Sequence, residues 1–272
     1  AQRHGARVLF SDERCVGGVR NHGAAAAAGE ILIFVDADTV IGPGWPGRAA
    51  RILDRGEAAA VGGRVSAPAD GTWVSAAYDA LRSRPESERP AWLPGCCLAL
   101  RRDAFEAVGG FDSELESCED LDLSYPLRSG GYYLRLDPGL EAVHLGDPKT
   151  LRELWRGELW RGREALRVDL RWLGRSGTAP GLLHSVARLS LLAATLAGLG
   201  TLVIRGLVWP LAAAVLLAGL SIGRATLLSL RHTGRDRPGF LRLLTVVSVY
   251  DLARTVAMLL PAPYHRQSQG HS

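Results

Sequence analysis

Five apolar residues, Ile31 to Val35, run directly into Asp36-Ala37-Asp38-Thr39. Two carboxylates spaced i,i+2 at a strand end can approach one divalent cation, directly or through water. Hard oxygen donors of this kind suit Mg2+ or Mn2+. A cation held there can bridge a diphosphate and neutralise its charge. A second acidic set, Glu119, Asp120 and Asp122, opens a segment that runs to Gly130-Gly131. It reads as a short helix with acids in its first turn and glycine at its end. Such acids can complement the helix dipole, or one of them can take a proton as a general base. His144 closes the apolar run from Leu140 and is either a structural histidine or a ligand. Trp92, ahead of Pro94-Gly95, can stack on a sugar or a lipid or cap the core. The four cysteines, Cys15, Cys96, Cys97 and Cys118, are too few for a disulfide-dense scaffold and include no C-x-x-C pair that would point to a cysteine-built zinc site.

The elements that must position these groups follow an α/β pattern through residue 180. The run 31–35 is expected to be a strand buried on both faces of a parallel sheet, with ligands bound beyond its carboxyl end. Upstream, Arg20-Asn21-His22-Gly23 leads into an alanine helix over Ala24–Ala28, with Gly29 as its stop. Arg7 to Phe10 is the first apolar run and is expected to be a strand. Tyr132–Leu136, Asp137-Pro138-Gly139 and Leu140–Leu145 read as strand, turn and strand.

Several of these segments together resemble the family-two glycosyltransferases of the GT-A fold. The resemblance rests on Arg20-Asn21-x-Gly23, on Ala28-Gly29-Glu30-Ile31-Leu32 running to Asp36-Ala37-Asp38-Thr39, and on Gly95-Cys96-Cys97-Leu98-Ala99-Leu100-Arg101-Arg102-Asp103-Ala104-Phe105. Gly109-Gly110-Phe111-Asp112 and Glu119-Asp120-Leu121-Asp122-Leu123 complete it. It covers about residues 1–150 and implies a Rossmann-like mixed sheet with flanking helices. By this resemblance Asp120 is the catalytic base, and Glu119 orients it or contacts the acceptor. Arg20, Asn21, Asp36, Asp38 and Gly95 surround the nucleotide-sugar donor. Asp36 and Asp38, with His144 in second rank, hold Mg2+ or Mn2+. The implied reaction is an inverting, metal-dependent sugar transfer from a nucleotide-sugar donor. The resembled fold opens with strands that hold the base and ribose, and the chain enters at about the third of them. The Q-x-x-R-W signature of processive members is replaced by Glu158-Leu159-Trp160-Arg161, which disfavours a polymer-extruding synthase.

Composition bounds the alternatives. In 272 residues, 47% are hydrophobic and 22% charged, which excludes disordered and collagen-like chains. The formal charge of +4, with Lys149 the only lysine, gives no argument for nucleic acid. Residues 189–204 and 206–223 carry no charge and are expected to span a membrane, with 243–260 as a third span or an interfacial helix in which Asp251 and Arg254 pair. Arginine placement puts the catalytic domain on the cytoplasmic side of a multi-pass protein of the inner cell membrane.

The expected organisation is therefore a GT-A catalytic domain at 1–148 and a Trp/Arg-rich interfacial helix at 149–180. A membrane region at 181–262 and a polar tail at 263–272 follow. The expected acceptor is lipid-linked or part of a surface glycan. A non-catalytic membrane protein with a degenerate glycosyltransferase domain and a sugar nucleotidyltransferase are the competing readings.

Overall fold

The computed structural model describes residues 5–83, 90–173, 209–231 and 238–260, with isolated helical positions at 186, 187, 190 and 193. The chain forms two compact units. The first draws on Ala1–Val65 and Pro85–Val143, and the second on Ser66–Arg84 and His144–Ala262.

The first unit is built on strands β1 (Ile31–Val35), β2 (Thr39–Ile41), β3 (Ala60–Ser66), β4 (Cys97–Arg101) and β5 (Leu134–His144), in the order β1-β4-β3-β5-β2. Strand β4 runs antiparallel to β1 and to β3, with Phe34 opposite Leu98 and Val61 opposite Ala99. Helices α1 (Val16–Ala26), α2 (Trp45–Asp54), α4 (Arg102–Ala107) and α5 (Glu119–Ser129) belong to the same unit. Leu98 and Leu100 enter a core with Leu32, Phe34, Phe105, Phe111, Leu123 and Leu127. Cys97 and Ala99, pointing the other way, enter a core with Trp45, Ile52, Leu53, Val61 and Leu140. Alternate side chains of a strand leave opposite faces, so β4 feeds both cores, as do β3 through Ala60 and Val61 and β5 through Leu134 and Leu140.

This corrects the expectation for 31–35. Leu32 and Phe34 are buried, but Ile33 and Val35 are 37% and 40% exposed. Strand β1 lies at one end of the strand order, pairs antiparallel, and covers only one face. Three further local expectations change. Residues 6–14 form no regular element. Helix α1 stops at Ala26, because Arg102 donates to the carbonyls of Ala24, Ala27 and Gly29 (3.2, 2.9 and 2.8 Å) and so satisfies the end of the helix. Residues 134–144 are one continuous strand: the buried Asp137 carboxylate accepts from Gly139 N (2.9 Å) and Arg48 Nε (2.6 Å), fixing the chain through Pro138.

The second unit holds α3 (Trp73–Arg82), α6 (Leu151–Trp172), α7 (Trp209–Arg231) and α8 (Phe240–Ala257). Helix α8 packs on α3, α6 and α7. Thr150 and Glu153 start α6 as a capping pair: the Thr150 hydroxyl accepts from Glu153 N, and the Glu153 carboxylate accepts from Lys149 N.

The expected C-terminal transmembrane region is overturned. Among the described residues no helix is long and apolar enough to cross a membrane, and a multi-pass location in the inner membrane is not supported. The segment 189–204 lies outside the described residues, save for two positions. The apolar residues of 243–260 have a different use: Leu243, Val246 and Val247 are buried against Val74, Ala77, Tyr78 and Leu154. The charges there are also used within the unit. Asp251 pairs with Arg224 of α7, and Arg254 donates to Glu158 of α6 at 2.7 Å.

Candidate active site

Strand β1 delivers Asp36 to the edge of the sheet, where its backbone N–H donates to Cys96 O at 3.0 Å and so holds it beside the start of β4. Asp38 follows in a turn closed by Thr39 N donating to Asp36 O at 3.0 Å. From α1, Arg20 reaches across. Its Nη2 lies 2.6 Å from Asp36 Oδ1 and its Nη1 lies 2.5 Å from Glu119 Oε1. The Arg20 side chain is only 9% exposed, and its guanidinium sits 5.3 Å from the Phe111 ring. That ring is fixed by T-shaped contacts with Phe34 and Phe105.

Helix α5 places Glu119 and Asp120 at its first two positions. The preceding residue, Cys118, has φ +63°, and it is the sole non-glycine with positive φ among the described residues. The left-handed region costs a non-glycine residue about 1 kcal/mol or more. Here that conformation turns the chain sharply into the helix. Asp120 Oδ2 accepts from Gly95 N (2.9 Å) and its Oδ1 from Leu121 N (2.8 Å), which orients the carboxylate. A Cβ at residue 95 would stand 3.0 Å from Arg20 Nη1, 3.1 Å from Asp120 Cβ and 3.3 Å from Glu119 Oε1. A side chain at residue 95 would therefore press on all three neighbours, each of which would have to shift by a few tenths of an ångström.

The electrostatics follow from burial. Burial, together with the adjacent Asp120, pushes the Glu119 carboxyl up to about 7, against the opposing pull of Arg20. Burial works against the charge on Arg20, but Glu119 and Asp36 outweigh it and raise its proton affinity. One guanidinium thus serves two carboxylates beside a third.

Of the residues singled out in the sequence, Arg20, Asp36, Gly95, Glu119 and Asp120 form one connected group, and Asp38 stands two residues beyond it. Asn21 has a different setting: its amide donates to Phe111 O (2.8 Å) and accepts from Phe111 N (3.0 Å), clamping the loop before Asp112. His144 belongs to the second unit, where its Nδ1 lies 3.0 Å from Asp147 Oδ1, and Asp147 also pairs with Arg82. The sequence reading named Cys118 and Phe111 but gave neither a place in the site. A backbone reversal at a cysteine carries no compositional signal, and the aromatic trio is assembled from three separate elements.

Among the described residues no group of three or more His, Cys, Asp or Glu side chains could hold a metal ion alone. Mg2+-like ions are commonly held by one or two carboxylates plus substrate phosphates and water. Asp36 and Asp38 fit that pattern, with one oxygen of Asp36 already on Arg20.

Residues 1–109 match the family model described as Glycosyl transferase family 2. This family-two match contains Arg20, Asp36, Asp38 and Gly95 and supports a family-two glycosyltransferase domain. Among curated proteins, the chain is 30% identical over 146 residues to a pre-mycofactocin glycosyltransferase of Mycobacterium tuberculosis, covering 50% of this chain and 31% of that protein. It is 43% identical over 74 residues to an N-acetylglucosaminyl-diphospho-decaprenol L-rhamnosyltransferase of the same organism, covering 26% of this chain and 24% of that one. The chain therefore spans about a third or less of these relatives' own length. Among solved structures, a mannosyltransferase from Pyrobaculum calidifontis in complex with GDP-Man and Mn2+ has a TM-score of 0.54 and 20% identity, covering 93% of this chain and 68% of that chain. That likeness shows a shared fold.

Proposed function

We propose that the chain is the catalytic part of a glycosyltransferase that moves a sugar from a nucleotide-sugar donor to an acceptor hydroxyl with inversion. The observation that carries this reading is the Arg20 bridge. It brings the Asp36-Ala37-Asp38 strand end and the Glu119-Asp120 helix start into one cluster around Gly95.

In this reading Asp120 is the base. A sugar hydroxyl is a weak nucleophile, and a carboxylate within hydrogen-bond reach removes its proton as the new glycosidic bond forms. The Gly95 and Leu121 amides hold that carboxylate in one orientation. Glu119, with its proton affinity raised, limits the negative charge beside the base. Asp36 and Asp38 would hold Mg2+ or Mn2+ at the donor diphosphate. Such an ion supplies neutralisation of the charge that develops on the leaving group. The inferred acceptor is a hydroxyl of a lipid-linked or surface glycan, in keeping with the relative named for a decaprenol-diphosphate acceptor.

The test is incubation with nucleotide sugars, GDP-mannose and UDP-glucose among them, in the presence of Mn2+. Release of nucleoside diphosphate with formation of a glycoside is expected, and Asp120→Asn should lower it by about 10²- to 10⁴-fold while leaving thermal unfolding unchanged. Full transfer by that variant overturns the base assignment. Pyrophosphate release instead identifies a nucleotidyltransferase. No turnover, or turnover that Asp38→Ala leaves unchanged, identifies a binding protein or a different site.

A further inference from the structure

Arg20 lies within the family-two match, and an arginine beside a diphosphate site invites the role of an anion ligand. Its geometry points to another use. Both terminal guanidinium nitrogens are engaged by carboxylates, Nη2 by Asp36 and Nη1 by Glu119, and the side chain is almost wholly buried beneath Gly95 and against Phe111. Asp36 lies 16 residues away along the chain and Glu119 lies 99 away.

We propose that Arg20 is a positioning residue that locks the donor-side strand end to the acceptor-side helix start, and that it is not a ligand of the donor. The inference rests on the glycosyltransferase reading of the same site. Three features of the structure support it.

The guanidinium is planar and forked, so two hydrogen bonds from one group fix the separation and relative orientation of two carboxylates. A flexible ammonium on a single point cannot do this. Next, the fork is itself held from behind. Phe111 packs in the aromatic trio with Phe34 and Phe105, and the neighbouring Asn21 clamps the Phe111 backbone at both its N–H and its C=O. Consecutive residues of α1 thus serve one purpose, Asn21 fixing the support and Arg20 the bridge. Finally, a Cβ at residue 95 would press on Arg20, Glu119 and Asp120 together, so the close approach at Gly95 exists to let the bridge pass beside the base.

A donor ligand and a positioning residue fail differently when removed. Loss of a ligand raises the donor KM. Loss of a brace displaces the base from the reacting centre, and a misplacement of about 1 Å costs about 100-fold in turnover.

The experiment measures kcat and donor KM, with GDP-mannose and UDP-glucose as probes, for the 272-residue chain and for Arg20→Gln, Arg20→Lys and Arg20→Gln/Glu119→Gln. The expected result is a fall in kcat of about 100-fold in Arg20→Gln with the donor KM within about 3-fold of wild type. Arg20→Lys should recover only part of kcat, because it reaches one carboxylate. The double variant removes the buried carboxylate left without its partner, so it folds even where Arg20→Gln does not, and its kcat should stay low. A raised donor KM at unchanged kcat overturns the inference while leaving the glycosyltransferase reading intact. Recovery of kcat in the double variant also overturns it, since Arg20 would then serve only to neutralise Glu119. A wild-type chain that turns over no nucleotide sugar overturns the glycosyltransferase reading itself, and the catalytic part of the inference with it.

Discussion

Each of the two units buries a glutamate paired with arginine, and the two arrangements are opposite in character. In the second unit Glu158 is fully buried and oversupplied with partners: Arg161 at 2.8 Å, Arg254 at 2.7 Å, and the Tyr78 hydroxyl donating at 2.7 Å. Burial pushes its proton affinity up, but Arg254 and Arg161 overcome this and hold the carboxyl below its ordinary range. In the first unit Glu119 shares one arginine with Asp36 and has Asp120 beside it, and its carboxyl is pushed up to about 7. A surplus of cations makes a stable carboxylate, which suits a structural joint between helices. A shortage leaves a carboxyl with raised proton affinity, and a perturbed carboxyl of that kind marks a candidate functional site.

The comparison can be broken most sharply by kinetics. Asp120→Asn should lower transfer by about 10²- to 10⁴-fold, the usual worth of a general base, with an unchanged unfolding midpoint. The corresponding removal in the second unit should act on stability instead. Glu158→Ala leaves Arg161 and Arg254 without their shared anion and should cost about 3–5 kcal/mol, read by urea denaturation. Glu158→Gln, which keeps an acceptor, should cost less.

The two glutamates should also respond to pH with opposite signs. The folded-state value of Glu119, about 7, stands above its ordinary 4.5, so the folded state holds the proton more tightly. The stability this gives is full below pH 4.5 and is lost as pH rises through 7. Glu158 is lowered, so its contribution is present above pH 4.5 and is lost as pH falls below its folded value. Unfolding midpoints followed from about pH 2 to 8 should therefore fall less steeply between pH 4.5 and 7 in Glu119→Gln than in wild type. In Glu158→Gln the loss on the acid side should shrink. Parallel curves for all three proteins would show that the two sites do not differ as described.

The smallest effect concerns packing. Gly162 of α6 faces Ala257 of α8, and a Cβ there would come within 2.6 Å of the Ala257 Cβ and 3.2 Å of Arg254 Cδ. Gly162→Ala should destabilise by about 1–3 kcal/mol through overpacking. It should leave donor turnover unaltered, since the residue belongs to the second unit.

Much of the first unit was legible in the sequence. The apolar run ending in Asp36-Ala37-Asp38 forms β1 and its turn, the acids at 119–122 open α5, and the Cys97–Arg101 strand leads into α4 as the family resemblance implies. These are local signals, carried by periodicity and by end-of-element chemistry. The C-terminal segment misled for the same reason. An apolar run reads alike whether its neighbours are lipid or other helices, and only the tertiary structure shows Leu243, Val246 and Val247 buried among α3 and α6 residues, with no helix among the described residues long and apolar enough to cross a membrane.

By itself, then, the sequence determined which residue types stand at the ends of which elements, because local backbone preferences depend on near neighbours. The tertiary structure decided which charges meet. Arg20 takes Asp36 and Glu119 as partners, and Glu158 takes Tyr78 and Arg254. The ionic partner of a buried charge is selected by desolvation and by the geometry of packed elements, and neither quantity is written in the spacing of residues along the chain.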